Sequence, residues 1–201
     1  RNMLIVRGIV TSYWGLLGRI DYAENLLRKN ILASEKAGFM SGAWISKNVL
    51  ARVLVLSRQK LPEARALLTE SAARYAAIKH VAWQIQIGLD LAIIDEIEGN
   101  LRSAEAALSG LVAMQEKNDY LGSRVGIPMA ALARVRLGLG RGDEALALAR
   151  DAAGRVATSG PPLFIGWHHL PRLVLLECLM ACGPKDEAKA AVTATVQWLH
   201  G

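Results

Sequence analysis

The chain has 201 residues, 52% of them apolar, only 5% aromatic and 21% charged, with a formal net charge of +6. It is long enough to bury a substantial core, and recurrent Ala, Leu, Arg and Glu with few aromatics exclude a sheet-rich protein and predict one built almost wholly of helices. No apolar run approaches the ~20 residues that cross a bilayer: even Val49 to Leu56 is interrupted by Arg52, so no membrane is expected among its partners.

Hydrophobic periodicity predicts helices near 3–17, 20–37, 42–57, 61–78, 80–98, 101–117, 121–139, 142–158, 163–182 and 185–199. One signature returns five times at their junctions: Gly18 to Ala23, Gln59 to Ala64, Gly99 to Ala104, Gly140 to Ala145 and Gly183 to Ala188. The closing alanines are 41, 40, 41 and 43 residues apart. Glycine in four copies is suited to end one helix, and Asp, Pro or Ser just before the alanine to open the next. A second series runs in step with the first: Trp44, Trp83 and Trp167 lie 20, 21 and 21 residues before their alanines, with Arg124 in the corresponding place, and Pro128 and Pro171 each follow by four. These tryptophans read as packing residues between repeats; Trp14 and Trp198 lie outside the series.

The two series divide the chain into five helical hairpins, roughly 1–38, 39–79, 80–118, 119–159 and 160–201, in one repeat domain. A lone hairpin cannot bury both its apolar stripes, so successive hairpins are expected to stack, the small alanine allowing close approach. The expected fold is an all-α solenoid of about five antiparallel hairpins in a right-handed superhelix, with the first helix of each pair on the concave side. The chain opens on Arg1 rather than Met, with the pattern under way by Tyr13, and so reads as part of a longer protein; Met3 to Val6 is too short for a secretory segment.

The spacing Gly-x4-Ala followed by apolar residues at helical intervals resembles the tetratricopeptide repeat, with a period near 41 instead of ~34. Segments such as Leu50 to Leu56 and Gly142 to Leu148 resemble the longer repeats of bacterial maltose-activator (LuxR-type) ATPase regulators and multidomain adenylate cyclases. That resemblance implies an arm that senses a partner or inducer, with nucleotide and DNA binding in other domains.

No catalytic set assembles from the sequence, and no cofactor or metal is expected. Of His168, His169, Cys178 and Cys182, the pair His168 and Cys178 lies ten residues apart, ~15 Å along a helix, too far for one ion. The two cysteines, four apart on one helical face, are poorly placed for a mutual disulfide and read as reduced thiols of a cytoplasmic protein. Gly138 to Gly142 lacks the preceding strand and the Lys-Ser/Thr of a phosphate loop. Asp95, Glu96 and Glu98 crowd a helix C-terminus and need compensation by nearby arginines.

Polar residues interrupting the apolar first helices are the candidates to contact a partner: Lys47, Asn48, Arg52, Gln86, Asp90, Arg134 and Arg172. Lys47 and Arg52 are expected to be open to solvent. Residues 1–80 carry 13 Lys/Arg against 5 Asp/Glu, a balance of +8, while residues 81–201 carry 11 against 13, a balance of −2. The expected partner is therefore a protein or peptide segment, acidic or of mixed charge, or another domain of the parent chain. A small-molecule effector is the alternative, and nucleic acid is disfavoured because no repeated base-reading side chain is visible.

Overall fold

A computed structural model describes residues 10, 11, 14, 15, 17–118, 126–157, 167 and 170–200. The expected segment 3–17 falls mostly outside the described residues, as do Arg124, His168 and His169, although residues 10, 11, 14 and 15 are helical. The remainder forms α1 (Ile20–Lys36), α2 (Met40–Ser57), α3 (Leu61–Ala77), α4 (Val81–Ile97), α5 (Leu101–Glu116), α6 (Gly126–Gly138), α7 (Gly142–Ala157), α8 (Leu170–Cys182) and α9 (Lys185–His200), with no strand among the described residues.

Two kinds of helix alternate, and their burial explains the repeat. Counted from each repeat alanine, the second helices bury positions 0, 4, 7 and 11: Ala23, Leu27, Asn30 and Ser34 in α1, Ala64, Leu68, Ser71 and Tyr75 in α3, and Ala104, Leu108, Leu111 and Gln115 in α5. This is one stripe of a 3.6-residue helix, the remaining faces being wet. Ala145, Ala149 and Ala152 continue it in α7. The first helices are instead closed on most sides: α2 buries twelve residues, among them every position from Asn48 to Val55. They lack a polar face because other helices pack on both flanks.

The chain divides into two compact units, residues 1–97 and 98–201. In the first, α1 packs on α2, α2 on α3 and α3 on α4, and α2 also touches α4. In the second, α5 packs on α6, α6 on α7, α7 on α8 and α8 on α9, and α6 also touches α8. Each first helix thus meets the next first helix of its unit, as stacked hairpins require.

The turns confirm part of the expected chemistry and correct the rest. Gly140 takes φ +78°, and the Arg141 amide then donates to the Arg136 carbonyl at 3.0 Å, a Schellman closure that satisfies an otherwise orphaned end. The turn before Ala64 has no glycine, and there Arg58 and Lys60 occupy the left-handed region themselves, at a cost of about 1–2 kcal/mol per residue. Gly183 is absent from the residues of positive φ; a Cβ there would come within 2.9 Å of the Leu179 backbone, so space and not φ requires glycine. Asp and Pro before the alanines sit inside the first turn. The N-caps of α1, α3 and α5 are Arg19, Lys60 and Asn100, none with a side-chain capping bond, so Asp21 and Glu63 act through the helix dipole.

The expected start of the ninth helix at 163 is also corrected. The described helix begins at Leu170, and Trp167 stands outside it at φ +45°, its carbonyl accepting the Leu170 amide at 2.9 Å. Pro171 is the second residue of this helix, where the missing amide costs no intrahelical bond and the fixed φ suits a first turn.

Ion pairs repeat with the hairpins. The residue five after one repeat alanine meets the residue one before the next, as Arg28 with Glu63 at 2.7 Å and Arg150 with Glu187 at 2.5 Å. The residue one after the alanine meets a base four before the next, as Glu24 with Lys60 at 2.7 Å and Glu105 with Arg141 at 2.5 Å. The Lys60 ammonium, with Arg28 beside it, holds the Glu24 carboxyl below the ordinary carboxylate range against partial burial; the Arg150 guanidinium does the same for Glu187.

Two predictions follow from the alanine stripe and the ion pairs. Ala104 is fully buried at a helix crossing, so Ala104→Leu should overpack it and lower stability by ~1–3 kcal/mol, read as a lower urea midpoint at unchanged slope. Because the folded-state pKa of Glu24 lies below its unfolded value, its contribution is present above the ordinary carboxylate range and lost as pH falls through the folded value. Urea midpoints should therefore decline as pH falls below about 4.5, and Glu24→Gln should flatten that decline.

Candidate recognition surface

Arg52, on the inner turns of α2, meets Asp90 on α4 through two parallel bonds: Nε to Oδ1 at 3.2 Å and Nη2 to Oδ2 at 2.8 Å. Both side chains are buried, 8% and 0% exposed. The expected solvent access of Arg52 is thereby corrected, and Asp90 does not line a groove. The reason is energetic: each charge, enclosed by two apolar first helices, would be costly alone, and the fork-to-carboxylate geometry compensates it. Asn48, one turn before Arg52, is likewise buried.

Lys47 is partly open and turns the other way. Its Nζ stands 4.7 Å from the Trp44 ring centre and 3.4 Å from Glu35. Arg74, near the end of α3 and exposed, places its guanidinium 5.0 Å from the same ring. Next to it Tyr75 stacks on Trp83 of α4, centres 5.4 Å apart and planes at 21°, and meets His80 edge-on. The His80 Nδ1 accepts the Trp83 amide at 3.4 Å. Burial pushes the Tyr75 phenol above its ordinary pKa, with the Arg74 charge and the neighbouring Asn48 amide opposing that rise.

The start of α2, the end of α3 and the start of α4 thus assemble three aromatic rings and two cations. The cations suit the C-terminal end of α3, where the helix dipole favours positive charge. Within this cluster Trp44 Nε1 and both amide atoms of Asn48 are buried without a well-aligned hydrogen-bond partner. Trp44 and Tyr75 are buried beneath these cations, and the half-buried Trp83 is the ring with a partly open face; with exposed Arg74 beside it, the surface can pair a carboxylate.

Gln86 lies on α4, half-buried, its Nε2 without a partner. Arg134 on α6, half-buried, and Arg172 on α8, exposed, belong to the second unit. Of the seven candidate residues, the structure brings Arg52 and Asp90 into direct contact and sets Lys47 and Asn48 at the aromatic cluster. Sequence reasoning missed Arg74 and Tyr75. Their signal was present: Tyr75 occupies position 11 of the buried stripe, where the other described repeats carry Ser34 and Gln115.

The acidic group at the end of α4 is compensated as expected, Arg65 of α3 reaching Asp95 at 2.7 Å. Cys178 is buried, its thiol pushed up to about 11 by burial, while Cys182 is exposed; both are free. Among the described residues no three His, Cys, Asp or Glu side chains are grouped to hold a metal ion, and no helix is long and apolar enough to cross a membrane.

No family model and no curated protein matches the chain. Among solved structures it is similar to a Podosopora anserina protein described as a kinesin light chain with nearly identical TPR-like repeats. A single-substitution form matches at 21% identity over 96% of this chain and 92% of that one, TM-score 0.65. The unsubstituted form matches at 21% identity over 95% and 92%, TM-score 0.64. The likeness establishes the fold, an all-α tetratricopeptide-like helical repeat.

The ion pair yields a sharp test. Asp90→Leu leaves Arg52 enclosed without its carboxylate and should cost about 3–5 kcal/mol, whereas Arg52→Met with Asp90→Leu should recover most of it. Urea unfolding of the two singles and the double closes the cycle.

Proposed function

We propose that this chain is a protein- or peptide-binding repeat scaffold, one domain spanning residues 1–201, that serves as the sensing arm of a bacterial regulator of the maltose-activator type in the cytoplasm. The observation that carries the binding reading is the cluster at the ends of α2, α3 and α4, where Lys47 and Arg74 share one indole beside stacked Tyr75 and Trp83. Aromatic rings and arginine are the residues that anchor protein interfaces. The regulator context is supported by the long repeat period and by the segments that resemble those domains.

The preferred ligand is an extended segment that carries acidic and aromatic side chains. A carboxylate placed between Lys47 and Arg74 meets two cations, and the surplus of positive charge over residues 1–80 attracts it from a distance. Gln86, Arg134 and Arg172 remain candidate contacts, with Arg134 and Arg172 serving the second unit. Arg52 and Asp90 act one step removed, by holding α2 and α4 together. A small polar effector is favoured as a second reading by the buried Trp44 indole nitrogen, which lacks a hydrogen-bond partner, and a thermal-shift screen with sugars and nucleotides separates the two.

The test uses fluorescently labelled peptides, each with one tryptophan and with acidic, neutral or basic flanks. Acidic peptides should bind tightest, and Lys47→Glu with Arg74→Glu should slow their association about tenfold at low salt and flatten its salt dependence. Equal rates for parent and double variant would remove this surface from the binding reading.

A further inference from the structure

Two large apolar side chains stand open at one end of the second hairpin. Met40 opens α2 and is 44% exposed, and Ile78 directly follows α3 and is 58% exposed. Both lie inside the continuously described stretch 17–118. Trp44, near the start of α2, meets Arg74, near the end of α3, so the two helices run antiparallel. Met40 lies four residues before Trp44 and Ile78 four after Arg74, which sets both at one level, a helical turn nearer the same end.

The repeat itself does not require them. Counted from the repeat alanines, Ala37 and Asn118 hold the place of Ile78 in the first and third hairpins, and His80 holds the place of Met40 in the third. Small or polar side chains serve there, so the apolar pair is particular to the hairpin that also carries Trp44 and Arg74.

The charge around the pair is of one sign. From Lys36 to Pro62 the chain has no Asp or Glu, and from Ser71 to Ile94 its one acid is Asp90, which is enclosed against Arg52. Lys36, Arg74 and Lys79 are exposed, and Glu35 is engaged by Lys47 at 3.4 Å. Arg28, Arg65 and Arg150 of the second helices each meet a carboxylate. Arg74 lies on a ring instead, and its guanidinium donors suit an acid from outside.

We propose that the acidic segment is read at two points, its carboxylate pairing with Arg74 while a large apolar side chain two residues away settles on Met40 and Ile78. This rests on the peptide-binding function proposed above and adds a sequence requirement to it. The spacing comes from geometry. Ile78 follows Arg74 by four residues on one helix face, ~6 Å along the axis. In an extended segment, side chains on one side recur every second residue, ~6–7 Å apart, and the residue between them points away. An acid at one position and an apolar residue two positions on therefore match Arg74 and Ile78 together, with Met40 closing the apolar contact from α2.

The test varies the acidic peptides that probe the binding surface. Each carries a single aspartate and a leucine placed next to it, two residues away or three away, in both directions, with alanine at the same place as the reference. Fluorescence anisotropy should show leucine two residues away tightening binding about tenfold over alanine, as expected for partial burial of one such side chain. Met40→Ser with Ile78→Ser should remove that gain and leave the affinity of the alanine peptide unchanged, with helix content intact because both positions are exposed. A gain at another spacing overturns the proposal, as does a gain that survives the double substitution. Leucine and alanine peptides that bind equally well also overturn it, while leaving the peptide-binding function standing. If no acidic peptide binds, both fall.

Discussion

The pair Arg52–Asp90 sets the limits within which the first unit can work. Two charges enclosed between α2 and α4 tolerate little displacement, because sliding either helix would strand a guanidinium or a carboxylate in an apolar enclosure. The pair adds little net energy over two well-packed apolar residues. What it adds is geometry, since two parallel bonds fix both the height and the rotation of one first helix against the next. Lys47, five residues earlier on α2, is then committed to the opposite side, and Trp44 is delivered to the end of α3.

A similar use of polarity runs through the second helices. Positions 7 and 11 of their buried stripe carry Asn30, Ser34, Ser71 and Gln115 where leucine would pack as well. Asn30 Nδ2 donates to Ser46 Oγ at 2.8 Å, and the Ser46 hydroxyl donates to the Gly42 carbonyl at 2.8 Å, so α1 and α2 are keyed by a buried chain of bonds. An apolar stripe of Ala and Leu permits several slightly shifted packings of similar energy; a buried hydrogen bond penalises all but one. The exposed ion pairs between successive second helices act in the same sense on the outside, where screening by water keeps each one weak.

The hairpins were legible in the sequence because their causes are local. A helix end, a first turn and an alanine five residues beyond the turn glycine recur within six residues, and the stripe that follows has the period of the helix. Among the described residues most helix boundaries accordingly agree with the structure, the start at 163 excepted, and four of the five repeat alanines are buried, Ala188 being half-buried. Burial of Arg52 was not legible, because it depends on a carboxylate 38 residues away and on how far α4 is rotated about its axis. A polar residue in an apolar helix reads equally well as a groove contact or as half of an enclosed pair, and only the partner's position decides. Trp167 was misplaced for a different reason: its spacing matches Trp44 and Trp83, but the helix begins only at Leu170, so equal spacing in sequence gave a different backbone state.

The contrast between the two ends of a hairpin bears on where recognition can occur. First helices buried along most of their length offer solvent little beyond their termini, and at those termini the dipoles of neighbouring antiparallel helices expose opposite signs. Arg74 and the Tyr75 phenol stand where α3 ends, and the indoles of Trp44 and Trp83 stand where α2 and α4 begin beside it. A partner that bound along the middle of α2 and α4 would have to break the Arg52–Asp90 pair and carry the cost of two uncovered charges. A partner that binds across the helix ends meets Arg74 and Trp83 already held in place and leaves the Arg52–Asp90 pair intact. On the binding reading proposed above, the burial of the first helices removes Arg52 and Asp90 as direct contacts and leaves Lys47, Arg74 and Trp83, at the helix ends, to serve in their place.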